Sequence, residues 1–220
     1  MNSQNPKELL FEQLAKVAKA LSSANRIQIL EFLAQKERPV DQLAGMTGMT
    51  VANTSQHLQT LRQAGLVNSR KSGQHVIYSL SDESVVDLVN QVRLIAEKNL
   101  AEMDRLMEMY LKTRDAMEPV PAGELLERVK KGLVTVLDVR PEEEFNEGHV
   151  PGAVNVPLKR LESFINGLDP KAEVVAYCRG AYCLLSFDAV SKLREKGFKA
   201  LRMEDGFPEW KRAGLPVEKK

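Results

Sequence analysis

Asp115-Ala116-Met117-Glu118-Pro119-Val120-Pro121 decides more about this chain than any other stretch. Two prolines two residues apart cannot continue a helix, and each pushes the residue before it toward extended backbone. Upstream, apolar residues recur mostly with helical period; downstream, short apolar runs alternate with helix-like stretches. The 220 residues therefore divide into two domains joined by a short, stiff linker, expected at 1–116, 117–121 and 122–220. Charge gives no division: residues 1–117 carry 14 basic and 13 acidic side chains, and 118–220 carry 17 of each. Net charge, +1, argues neither for nor against nucleic acid, so any basic patch must be local. No apolar run reaches the roughly 18 residues of a membrane helix. The first residues lack a basic-then-apolar leader, so a cytoplasmic protein with no membrane partner is expected.

In the first half, residues 7–22 and 25–33 space their apolar side chains as amphipathic helices. A short helix from Pro39, a break at Thr47-Gly48-Met49 and a helix from Thr50 to Gln63 make a helix-turn-helix. Leu58 and Leu61 would anchor the second helix. Its other face offers Thr50, Val51, Asn53, Ser55, Gln56, His57 and Gln59, without an acid to repel phosphate. Short neutral donors and acceptors of this kind can read base edges in a major groove. Ser72-Gly73 between two extended runs predicts a β-hairpin, with Arg70, Lys71, Gln74 and His75 near its tip to grip phosphate. Six basic against three acidic side chains across residues 24–81 support the same reading. From Ser81, as N-cap, one apolar stripe runs on to about residue 115. That predicts a helix roughly 50 Å long, suited to a dimer seam with the first helix.

ALSSANRIQILEFL and VDQLAGMTGMTVANTSQHLQTLRQAGLVNSRKSGQHVIYSL resemble the winged helix-turn-helix of the ArsR/SmtB repressors. The resemblance implies a homodimer on an inverted-repeat operator in double-stranded DNA, with half-sites about 34 Å apart. The family's metal sensing does not carry over. Arg38-Pro39-Val40-Asp41 stands where many members place a cysteine pair, and His57, His75 and His149 all lie outside the long helix. No metal and no cofactor is expected.

In the second half, Leu133–Val139 and Glu173–Tyr177 read as buried strands of a parallel sheet, an α/β arrangement. The second ends at Cys178-Arg179-Gly180-Ala181-Tyr182-Cys183, and a helix follows from Leu184. A nucleophile in such a loop lies under backbone N–H groups and the positive end of a helix, which favour thiolate and bind anions. Arg179 would supply the loop's fixed cation. Cys183 either packs inward or attacks sulfur carried by Cys178.

Leu137-Asp138-Val139-Arg140-Pro141, Gly148-His149-Val150-Pro151-Gly152-Ala153, Tyr177-Cys178-Arg179-Gly180 and Gly206-Phe207-Pro208-Glu209-Trp210 resemble the signatures of rhodanese-like domains. The resemblance implies a sulfurtransferase cysteine, Cys178, that takes sulfane sulfur from a small donor as a persulfide and passes it to a thiol acceptor. Residues 179–183 would form the cradle, with Asp138 and Arg140 supporting it and His149 structural. Leu184 stands where related phosphatases and arsenate reductases place an arginine, against phosphate-ester or arsenate chemistry. The expectation is a DNA-binding repressor whose Cys178 couples reactive sulfur to operator binding. The alternatives are a working thiosulfate or persulfide sulfurtransferase addressed by its winged helix and, behind it, an arsenic-linked regulator.

Overall fold

Asn5 caps the first helix, α1 (Pro6–Leu21), by accepting the Lys7 N–H at 3.0 Å, with Pro6 in the turn where its missing N–H costs nothing. The structure is a computed structural model that describes residues 5–112 and 118–220. The expected linker start and the end of the expected long helix lie outside the described residues. α2 (Ala24–Gln35), β1 (Arg38–Pro39), α3 (Val40–Thr47) and α4 (Val51–Gln63) follow. Gly48, left-handed at φ 70°, ends α3 and permits the tight turn. Thr50 then caps α4 by accepting the Asn53 N–H at 3.2 Å. Ile29, Leu43, Leu58 and Leu61 are wholly buried in one core. Truncating one of those leucines to alanine would cost about 2–5 kcal/mol.

The hairpin β2 (Val67–Ser72) and β3 (His75–Leu80) turns at Gly73-Gln74, with Ser72 opposite His75 and Gly73 at φ 61°. β1 pairs with β3, giving an antiparallel sheet in the order β1-β3-β2. Pro39 can occupy β1 because an edge strand need not donate on its outer side.

α5 (Ser84–Asn99) departs from expectation at both ends. Asp82, not Ser81, supplies the capping oxygen, accepting the Ser84 N–H at 2.8 Å. The helix then stops. Asn99 turns its side-chain amide back to the Ile95 carbonyl at 2.8 Å, a local bond that competes with helix propagation. Leu100 is extended (φ −107°, ψ 106°), and α6 (Ala101–Met107) starts afresh before a π-helical turn at Glu108–Lys112. Leu10 and Leu14 on α1 and Ile95 on α5 are exposed by more than 60%. Among the described residues no helix is long and apolar enough to cross a membrane.

Compactness divides the chain between Val89 and Asn90. The second unit takes in the distal half of α5 and α6, then α7 (Ala122–Lys130), β4 (Thr135–Asp138), α8 (Glu142–Glu147), β5 (Val154–Asn155) and α9 (Leu161–Ile165). β6 (Glu173–Tyr177), α10 (Leu184–Glu195), β7 (Lys199–Arg202) and α11 (Phe207–Arg212) complete it. Its sheet is parallel throughout, in the order β5-β4-β6-β7. Alternation along the strands feeds two cores. Leu137, Val174 and Ala176 face α9 and α10, whereas Val136, Val175 and Tyr177 face the core of Leu125 and Trp210. Val120, within the expected linker, is already tied to the end of β7 by an isolated bridge. It is 3% exposed, bridges Met203 in parallel and donates to the Arg202 carbonyl at 2.7 Å.

Candidate functional site

The helix-turn-helix presents its polar face as the sequence predicts. Thr54, Leu58 and Leu61 bury one side of α4. Thr50, Val51, Asn53, Gln56 and Gln59 are exposed on α4 and its cap, with Ser55 and His57 half-buried beside them. The first turn carries no acid, so the helix's positive end is unopposed there. Arg62, in the last turn, reaches the Ser69 hydroxyl at 3.2 Å and ties this helix to the wing.

The wing is less cationic than its sequence implies. The Arg70 guanidinium pairs with the Glu37 carboxylate, and His75 Nδ1 lies 3.9 Å from Asp41 Oδ1. Glu37 and Asp41 flank β1, which the antiparallel register brings against β3. Lys71 has no carboxylate partner among the described residues, and Gln74 sits at the turn.

Cys178 follows the last residue of β6, and Cys183 is the N-cap of α10. Their sulfur atoms are joined as a disulfide, with Cα atoms 6.1 Å apart, inside the range a disulfide spans. Cys178 is 1% exposed and belongs to the core with Leu137, Val139 and Ala176, whereas Cys183 is partly buried over that core. The Cys183 N–H closes the loop onto the Gly180 carbonyl at 3.1 Å. Among the described residues, the N–H groups of Gly180, Ala181 and Tyr182 donate to no protein oxygen.

Arg179 corrects the sequence expectation. It is not a free cation: both its Nε and Nη2 are engaged by the wholly buried Glu144 carboxylate of α8, at 2.9–3.1 Å. Burying Glu144 requires such a partner, and the pair locks the loop base to α8. Asp138 and Arg140, both wholly buried, lie at the end of β4. Asp138 accepts the Arg140 backbone N–H at 2.9 Å and its guanidinium at 2.5 Å, and Arg140 also donates to the Gly148 carbonyl at 2.8 Å. Burial alone would lower the Arg140 pKa, but the Asp138 carboxylate outweighs it and holds the guanidinium above its usual value. Tyr177 links the pair to the thiol loop: its hydroxyl donates to Asp138 Oδ2 at 2.6 Å. Burial first, then that carboxylate, pushes the Tyr177 phenol well up. His149 stacks on Phe145 at 3.7 Å and exchanges backbone hydrogen bonds with Glu218, so it ties α8 to residue 218.

Two positions outside the expected site complete the loop's mould. A Cβ at Gly206 would collide with the Arg179 carbonyl and the Gly180 nitrogen, so only glycine lets this segment lie against the loop backbone. The next residue, Phe207, donates its N–H to the Cys178 carbonyl at 3.1 Å and stacks under Arg140 at 4.3 Å. On the other side, the Tyr182 hydroxyl donates to the Glu97 carboxylate of α5. Burial first, and Glu97 next, push the Tyr182 phenol up, so it remains a donor.

Known proteins share both halves. The model of bacterial regulatory proteins of the arsR family matches residues 23–69, and that of the rhodanese-like domain matches residues 121–213. The HTH-type transcriptional regulator Rv0324 of Mycobacterium tuberculosis is 41% identical over 212 residues, covering 96% of this chain and 93% of its own. Among solved structures, the homodimeric winged helix-turn-helix domain of a possible ArsR-family regulator from Mycobacterium bovis is 37% identical. It covers 46% of this chain and 94% of its own, with a TM-score of 0.42. A rhodanese-related protein from Thermoplasma volcanium is 28% identical over 47% of this chain and all of its own, with a TM-score of 0.43. The chain belongs to the ArsR family of HTH-type transcriptional regulators and carries a rhodanese-like domain behind its DNA-binding half.

Proposed function

We propose that this regulator is a reactive-sulfur switch, with Cys178 as the atom that takes sulfur and Cys183 as the one that resolves it. The observation that carries the reading is the disulfide that joins the two across a loop at the N-terminus of α10. The three loop N–H groups without a protein acceptor suit an anionic donor such as a hydropolysulfide. Once the disulfide is reduced and the loop opens the buried sulfur to the donor, Cys178 thiolate attacks a sulfane sulfur of the donor. The donor's S–S bond breaks, its electron pair leaves on the shortened polysulfide, and Cys178 holds a persulfide. Cys183 thiolate then attacks the Cys178 Sγ. The persulfide bond breaks, hydrosulfide leaves with the pair, and the disulfide closes. Two electrons pass from the two thiolates to the sulfane sulfur.

On DNA, Asn53, Gln56 and Gln59 read base edges, while Thr50, Val51, Ser55 and His57 seat the helix and Lys71 and Gln74 contact the backbone from the wing. The exposed leucines of α1 and the apolar face of α5 pair two chains into a homodimer on an inverted repeat, in the cytoplasm where the operator is. Fluorescence anisotropy on an operator duplex selected from a random pool tests the coupling. Inorganic polysulfide should change wild-type affinity about tenfold. It should leave Cys178→Ser and Cys183→Ser unchanged, with mass spectrometry finding the added sulfur on Cys178 of the Cys183→Ser protein. Equal affinities for all three proteins, with and without polysulfide, would remove the switch.

A further inference from the structure

We infer that α5 is the element through which the thiol loop speaks to the rest of the regulator, by way of an Asp205-Arg93-Glu97-Tyr182 chain of contacts. The inference rests on the switch reading and names its mechanical output. Arg93 Nη2 pairs with Asp205 Oδ1 at 2.9 Å, and Arg93 Nη1 reaches Glu97 Oε1 at 3.3 Å. That same Glu97 oxygen accepts the Tyr182 hydroxyl. These groups are one-fifth to one-third exposed at Arg93, Glu97 and Asp205, so solvent screens them incompletely. The chain grips the loop twice. Tyr182 adjoins Cys183 at its tip, and Asp205 adjoins Gly206, whose backbone lies against Arg179 and Gly180.

α5 itself belongs to both units. Val85, Leu88 and Val89 pack in the core under the recognition helix, while Arg93 and Glu97 sit in the second unit. With the disulfide closed, Cys183 is held to Cys178 and Tyr182 is fixed against Glu97. Reduction of the disulfide by a thiol frees Cys183 from Cys178, and Tyr182 loses its fixed geometry. The distal turns of α5 then lose one anchor while their register in the first core is kept. A helix held at one end and released at the other is the two-state element that coupling requires.

Hydrogen exchange over residues 90–99 of the full chain tests this, comparing the disulfide form with the form reduced by dithiothreitol. Mass spectrometry confirms the thiol state of each sample. Wild type should exchange about fivefold more slowly in the disulfide form. Glu97→Ala should close its disulfide as wild type does, yet exchange at one rate in both forms, and Tyr182→Phe should show the same single rate. If the Glu97→Ala protein keeps the wild-type difference, or wild type shows none with its disulfide formed, the relay is overturned and the thiol chemistry stands. If wild type forms no disulfide or persulfide at all, the switch reading fails and the relay with it.

Discussion

Gly206 and Tyr177 hold Cys178 in place although neither carries its chemistry. A methyl group at Gly206 meets backbone on the loop side, which cannot rotate away as a side chain could. Gly206→Ala should therefore destabilise the second unit by about 2–3 kcal/mol in urea unfolding. Tyr177→Phe removes a donor from Asp138 and an acceptor from the Val150 N–H, both buried, at a cost of about 2 kcal/mol near neutrality. Its pH dependence has a definite sign. The folded phenol ionises well above its ordinary value, so wild-type stability falls as pH climbs above about 10, where only the unfolded chain loses the proton. The phenylalanine variant lacks that loss, and urea titrations should show the gap between the two proteins narrowing in alkali. The place of Cys178 and its loop between a strand and a helix was legible. Glu144 was not: its pairing with Arg179 spans 35 residues and exists only once α8 has packed beside the loop. Gly206 stood inside a quoted motif, but a close backbone approach leaves no mark in sequence beyond the glycine itself.

On the proposed reading α4 and the wing divide the work on DNA, and their variants should separate. Lys71→Ala removes a phosphate contact, so it should weaken binding to all sequences and lower the salt slope by about 0.9. Gln56→Ala should cost about 1–3 kcal/mol on the selected operator and little on random duplex. Anisotropy across a salt series reads both. Arg70→Ala should fall short of the Lys71 effect, because Glu37 already neutralises that guanidinium. The recognition helix and hairpin were readable from period and turn residues alone. β1 was not, since two residues including a proline carry no strand periodicity. The end of α5 was missed for a different reason: the apolar stripe continues past Asn99, and the side-chain bond to Ile95 that stops the helix is a local competition the stripe cannot reveal.

Across the whole molecule, the exposed leucines of α1 are the face whose loss should be felt furthest away. Leu10→Asp together with Leu14→Asp should turn a sedimenting dimer into a monomer and weaken operator binding at least tenfold, because a single half-site then binds alone. Neither side chain belongs to a buried core, so thermal unfolding of each chain should change little. The Pro-Val-Pro stretch predicts a division near residue 119, whereas compactness divides the chain between Val89 and Asn90. That the second unit would enlist half of α5 was hidden, because Arg93 and Glu97 look like an ordinary solvated helix face until Asp205 and Tyr182 are folded beside them.

That shared helix carries an obligation in the reverse direction. Whatever factor separates operator affinity in the two sulfur states must return, unchanged, as the ratio of the loop's readiness to oxidise on and off the promoter. Copies parked on a gene and copies free of DNA would then trip at different doses of oxidant, giving each promoter a set point that depends on its own occupancy.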